Sequence, residues 1–127
     1  NFLEWKPRPY EADLAGIKAA DGEALLRGLD GAVREQNQAT ACALVHRFGA
    51  QGGDPRQIID LLLRYATSLD GALHAEKYFL TTTNDFATTR PAFRWRHLVG
   101  LARVTASESG TTAAGYQEAC ELLKVKA

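Results

Sequence analysis

The chain is predicted to be all-α: six to seven helices joined by short turns as antiparallel hairpins, forming a bundle or a short solenoid-like array. Three observations predict this. Apolar residues recur at helical spacing in one segment after another. No segment sustains the two-residue alternation of a half-buried strand. Clusters such as Gln51-Gly52-Gly53-Asp54-Pro55 separate the segments, ending one helix and starting the next.

With 127 residues, 46% of them hydrophobic, the chain has the length and apolar content of one domain with its own core. Residues 1–10 read as an extended N-terminal segment. Pro7 and Pro9 lack backbone donors and restrict the residues before them. Phe2, Leu3 and Trp5 are too apolar for a free tail, so they are expected to pack on the domain or on whatever precedes it. The chain opens on Asn1 and contains no methionine, as expected of an excerpt from a longer protein or of a processed one.

A short first helix is expected over Glu11 to Ala20, carrying Leu14 and Ile17. Asp21-Gly22-Glu23 interrupts the pattern. A second helix, about Glu23 to Gln36, then places Leu25, Leu26, Leu29, Ala32 and Val33 on one side. The third spans about Gln38 to Ala50. Its stripe is Ala41, Leu44, Val45 and Phe48, and its opposite side is small, with Ala39, Cys42, Ala43 and Gly49. Asp54-Pro55-Arg56-Gln57 combines a capping carboxylate, proline at the first helical position and a glutamine three residues after the cap. The fourth helix that follows, to about Ser68, is so broadly apolar that it is expected to be central and mostly buried.

Asp70-Gly71 starts a fifth helix that ends near Phe86. Thr88-Thr89-Arg90-Pro91 leads into a sixth, to about Ser107. The last, about Ala113 to Lys124, puts Tyr116, Ala119, Cys120 and Leu123 on one face. A faint repeat relates Leu29-Asp30-Gly31-Ala32 to Leu69-Asp70-Gly71-Ala72, about the length of a helix-hairpin unit. Hairpins of similar size also produce such matches without a true repeat.

Zero net charge argues against a dedicated nucleic-acid binder and against polybasic membrane attachment. No apolar run reaches the roughly 20 residues of a bilayer span. Cys42 and Cys120 lie within helical patterns and outside any C-x-x-C pair, so they read as buried free thiols of a reduced, cytoplasmic compartment. The expected partners are therefore a protein chain or an upstream domain, with self-association also open; neither nucleic acid nor membrane is expected.

Candidate functional residues concentrate between Gly71 and Arg103, where no acidic residue follows Asp85 until Glu108. On a helical wheel the fifth helix turns Ala72, Ala75, Phe79, Thr82 and Phe86 inward. His74, Tyr78, Thr81 and Asp85 form a separate polar ridge, suited to a polar ligand or, as an ordinary surface, to solvent. His74 and Glu76 diverge by about 200° and do not face one site. The sixth helix has two apolar stripes, one with Trp95, Leu98, Val99, Ala102 and Ala106, the other with Phe93, His97, Leu101 and Val104. His97 is expected to be a satisfied, partly buried histidine before it is a ligand.

Arg90 and Arg94 flank the His97 stripe, whereas Arg96 and Arg103 share the other side. Two of these arginines would suit an anion clamp; salt bridges to Glu76, Asp60 or Asp85 are the plainer expectation. His74, Tyr78, Thr81, Asp85, Arg94 and His97 are the candidate ligand-binding residues. No catalytic residue is assigned and no cofactor is expected. H-x-x-x-H and E-x-x-H are absent, so no metal is expected, although His46, His74 and His97 sit on three different helices. There is no G-x-S-x-G elbow and no Gly-rich phosphate loop.

The runs LLLRYATSLDGALHAEKYF and TTRPAFRWRHLVGLARVTAS resemble a helical region of larger bacterial proteins that also carry a Rieske-type iron–sulfur domain. The similar part covers about Asn37 to Ser107. The Cys-x-His pairs that hold a Rieske cluster are absent, so no cluster ligand carries over. The resemblance implies an accessory helical domain of a redox system. The function expected first is thus an accessory domain that docks a partner domain or chain. The alternative is a small-ligand or cofactor-binding enzyme domain with a polar pocket between the fifth and sixth helices.

Overall fold

The computed structural model describes residues 10–18, 20–67, 73–110 and 115–125; residues 73–75, 116 and 117 are described by their backbone alone. Seven helices follow one another: α1 (Glu11–Gly16), α2 (Gly22–Arg34), α3 (Gln38–Ala50), α4 (Pro55–Ala66), α5 (Leu73–Thr88), α6 (Trp95–Glu108) and α7 (Tyr116–Leu123). There is no strand among the described residues. The all-α prediction holds. Phe2, Leu3 and Trp5, and the Asp70-Gly71 start of the fifth helix, lie outside the described residues.

Side chains set the helix starts. Asp21 accepts a hydrogen bond from Ala24 N at 2.7 Å, Asn37 from Thr40 N at 3.1 Å, and Asp54 from Arg56 N at 2.9 Å with Pro55 behind it. Each such cap contributes about 1 kcal/mol. Two helices end alike. After α3, Gly52 turns left-handed at φ 76° and Gly53 N reaches back to Phe48 O. After α2, Gln36 adopts φ 56° and Asn37 N reaches back to Ala32 O. Both are Schellman endings, and glycine accepts that conformation without the steric cost borne by Gln36. The Gln36 side chain also donates from Nε2 to Ser109 O, tying this turn to the end of α6.

Numbering along the contacts gives the topology. Cys42 meets Val99, Gln38 meets Arg103, and Gly49 meets Trp95, so α3 and α6 run antiparallel. Tyr78 meets Gly100 and Phe86 meets Trp95, so α5 and α6 form an antiparallel hairpin. α3 packs on α1, α2 and α6, while α6 packs on α2, α3, α4 and α5.

The centre of the bundle is therefore α3 with α6, not α4. α3 buries Cys42 and Ala43 as well as the stripe Ala41, Leu44, Val45 and Phe48. α4 buries Ile58, Leu61, Leu62 and Ala66, but leaves Leu63 40% exposed. Small side chains on both flanks let α3 accept neighbours closely on two sides, which the bulkier α4 does not. Of the two stripes of α6, the first is buried at Leu98, Val99, Ala102 and Ala106, whereas of the second only Leu101 is buried and Phe93 is exposed.

Two boundaries differ from the sequence pattern. α1 stops at Gly16, where Ile17 turns extended and the Arg47 guanidinium donates to Leu14 O and Ile17 O, both at 3.4 Å. α6 begins at Trp95 rather than at Pro91. Residues 91–94 form tight turns, with Phe93 N on Arg90 O and Arg96 N on Phe93 O.

Candidate functional site

The α5–α6 hairpin carries the sequence-predicted residues. Thr82 and Phe86 are buried and Phe79 packs against the core, as the wheel requires. Thr81 and Asp85 are exposed, on the ridge expected of them. Tyr78 is 41% exposed and leans on α6, where its hydroxyl lies 3.5 Å from the Cβ position of Gly100. His74 belongs to the first turn of α5; its side chain lies outside the described part.

His97 is half-buried and its Nε2 lies 2.8 Å from Thr89 Oγ1. The ring thus joins the end of α5 to the first turn of α6 across the connection between them, as a histidine satisfied by the protein. Arg94 is half-buried with its guanidinium carbon 5.0 Å from the Phe86 ring centroid. Arg96 is exposed and its guanidinium carbon lies 5.0 Å from the Phe93 centroid. Cation–π stacking of this kind contributes about 0.5–1 kcal/mol at exposed sites.

Arginine pairing differs from the plainer expectation. Among the described residues, the ion pairs are Arg27–Glu23 at 3.3 Å and Arg34–Asp30 at 2.9 Å, both on α2. Arg103 donates to Gln38 Oε1 at 3.3 Å, away from Arg90 and Arg94 as the wheel predicts. Arg94 and Arg96 are held by aromatic rings rather than carboxylates.

His46 faces the other way. Its Nδ1 lies 3.4 Å from the Tyr10 hydroxyl, with the two rings tilted at 5.8 Å. Tyr10 stands at the start of α1, whereas Thr89, which meets His97, lies just after α5. Among the described residues no group of three His, Cys, Asp or Glu side chains is placed to hold a metal ion.

Two clefts open elsewhere, the second of them bordered by Arg103 of α6. A groove of ≈ 480 Å³ between α2 and α4 is lined by Leu26 and Leu61 with Arg27, Asp30, Arg34 and Arg64 at its sides. A smaller cleft of ≈ 180 Å³ is bordered by Tyr10, Gln38, Ala39, Cys42 and Arg103. Burial pushes the Cys42 thiol up to about 11, against a weaker downward pull from Arg103. The thiol is therefore neutral near neutral pH and a poor nucleophile.

The residues that the sequence did not single out are on α7. Its predicted inward face is Tyr116, Ala119, Cys120 and Leu123, yet only Cys120 of the described side chains on this helix is buried. Leu122 is 76% exposed, Leu123 74% and Val125 56%. The closely packed helix pairs among the described residues do not include α7. The sequence carries no signal for this exposure: adjacent apolar pairs such as Leu61-Leu62 and Leu98-Val99 are buried together elsewhere in the fold. Among the described residues no helix is long and apolar enough to cross a membrane.

No family model, curated protein or solved structure matches the chain.

Proposed function

We propose that this chain is an accessory helical domain that docks a partner domain or chain, with the end of α7 as the contact. The carrying observation is the exposure of Leu122, Leu123 and Val125 within one short stretch. Burying a Leu or Val side chain stabilises by about 1.5–3 kcal/mol, so a surface that leaves three in water favours a covering partner. Glu118, Glu121 and Lys124 are exposed on the same short stretch and would give the contact its direction. The resemblance of residues 61–79 and 88–107 to helical regions beside iron–sulfur domains makes a redox protein the first class of partner to examine.

The test is a photo-crosslinking amino acid placed at position 122, or at the exposed position 35 just after α2, in cells that naturally make the protein. A discrete adduct from position 122, weakened by Leu123→Asp and absent from position 35, is expected. Equal labelling from both positions, or none from position 122, overturns the proposal. Sedimentation velocity on the purified chain tells a second copy from a different partner.

A further inference from the structure

We propose that the groove between α2 and α4 binds a small organic monocarboxylate with an apolar tail, and that Arg64 is its carboxylate receptor. None of the residues that line this groove belongs to α7, so the site does not depend on the α7 contact.

Helical spacing builds the groove. On α2, Glu23, Arg27, Asp30 and Arg34 recur three or four residues apart and so share one stripe. On α4, Leu61 and Arg64 are neighbours one turn apart. The two stripes line one groove of ≈ 480 Å³. Its apolar part is Leu61, which is buried, and Leu26, which is half-buried. Gly31 leaves room beside them, because a Cβ there would meet nothing within 4 Å. The Tyr65 hydroxyl donates to Asp30 Oδ1 at 2.7 Å and ties α2 to α4 at this place.

The charges of the groove are unequally matched. Arg27 pairs with Glu23 at 3.3 Å and Arg34 with Asp30 at 2.9 Å, each across one turn of α2. Both carboxylates of the groove are thus neutralised from their own helix. Arg64 lines the groove from α4, and among the described residues its side chain has no ion pair or hydrogen bond. Three arginines against two carboxylates leave a net of one positive charge.

One surplus cation beside an apolar surface selects an amphipathic monoanion. The tail covers Leu26 and Leu61, and the planar fork of Arg64 takes the carboxylate bidentately. A phosphate dianion would bring more negative charge towards Glu23 and Asp30 than one surplus cation balances. The volume lies in the range of small-molecule sites, about 300–1,000 Å³. It matches about one turn of a helix with its side chains, too little for a helical partner laid in the groove.

The experiment titrates the ¹⁵N-labelled full chain with octanoate below its micellar concentration and follows the amide chemical shifts. Octanol, octylammonium and octyl phosphate are run in parallel. Octanoate should give saturable shifts centred on residues 26–34 and 61–65, and the other three should bind more weakly. Arg64→Gln should weaken octanoate about ten-fold, as for one charge-assisted pair partly open to water, and bring it near octanol. Arg64 is exposed, so its substitution leaves the core untouched. Gly31→Leu should fill the groove and abolish binding at unchanged helical circular dichroism, while Arg56→Gln, also on α4, should leave it unchanged. No saturable shifts, shifts centred on residues 122–125, equal loss with Arg56→Gln, or tighter binding of octyl phosphate overturns the inference. Leu123→Asp should leave octanoate affinity intact, so failure here and failure of the α7 contact are read separately.

Discussion

Gly49 lies directly beneath Trp95: a Cβ added at Gly49 would stand 2.5 Å from Trp95 Cδ2 and 2.7 Å from Cε3. The indole cannot easily retreat. Phe48 tilts against it at 6.3 Å and Phe86 meets it edge-on at 5.9 Å. The absent side chain is what lets α6 begin on top of the last turn of α3. Alanine would gain about 1 kcal/mol of helix propensity. Overpacking against a fixed ring costs about 1–3 kcal/mol. Gly49→Ala is therefore expected to destabilise the fold, seen as a lower urea midpoint at unchanged slope.

Gly31 is the counterpart. It is also within a helix, but a Cβ there meets nothing within 4 Å. Only the propensity remains, so Gly31→Ala is expected to stabilise by about 0.5–1 kcal/mol. Chemical denaturation of the two variants side by side checks the opposite signs. A common sign would sink the steric account of Gly49.

Local chemistry is legible in this sequence, whereas the packing of Trp95 over Gly49 is not. Capping and turn chemistry is local, so Asp54-Pro55 and the Gly52-Gly53 stop are read directly from the sequence and α3 is bounded at both ends, while Asp21 reads only as an interruption and its cap on Ala24 N emerges in the fold. The wheel of α5 likewise separated buried Thr82 and Phe86 from exposed Thr81 and Asp85. Which helix takes the centre is not local. α4 has the broader apolar band, but α3 has the small residues that admit neighbours on two sides, and that decided the burial. The partner of His97 was hidden for a related reason. Thr89 reaches it across a connection whose path depends on Pro91 and the tight turns after Arg90.

Tyr65 and Asp30 offer a test of the α2–α4 contact. The Tyr65 hydroxyl donates to Asp30 Oδ1 at 2.7 Å, and Arg34 Nε donates to the same hydroxyl at 3.3 Å. Burial and the bond to Asp30 together push the Tyr65 hydroxyl up from its ordinary value. Tyr65→Phe keeps the ring against the core and removes the bond, so a loss of about 1 kcal/mol is expected. In a double-mutant cycle with Asp30→Ala, which removes the accepting oxygen, the coupling should account for most of that loss. A coupling near zero would show that the contact is carried by the ring alone.

Cys42 makes stability depend on alkaline pH in a direction that can be worked out. Its thiol is buried between α3 and α6, with Sγ 3.6 Å from Val99 O, and burial raises its pKa from an ordinary 9.0 to about 11. Below pH 9 the thiol is protonated in both folded and unfolded chains, and its contribution is constant. Between pH 9 and 11 the unfolded chain releases the proton while the folded chain holds it. The unfolded state then binds fewer protons, so stability falls as pH rises through that window. Two pKa units correspond to about 2–3 kcal/mol as an upper limit. Tyrosines and lysines titrate in the same range, so the readout is a difference. The stability of the wild-type chain minus that of Cys42→Ala, measured by urea denaturation under reducing conditions, should shrink by about 2 kcal/mol from pH 9 to 11. The cavity left by alanine lowers the variant at every pH and cancels from this change. A difference that stays flat across the window would show that the thiol is solvated in solution and that the α3–α6 seam is looser than its packing indicates.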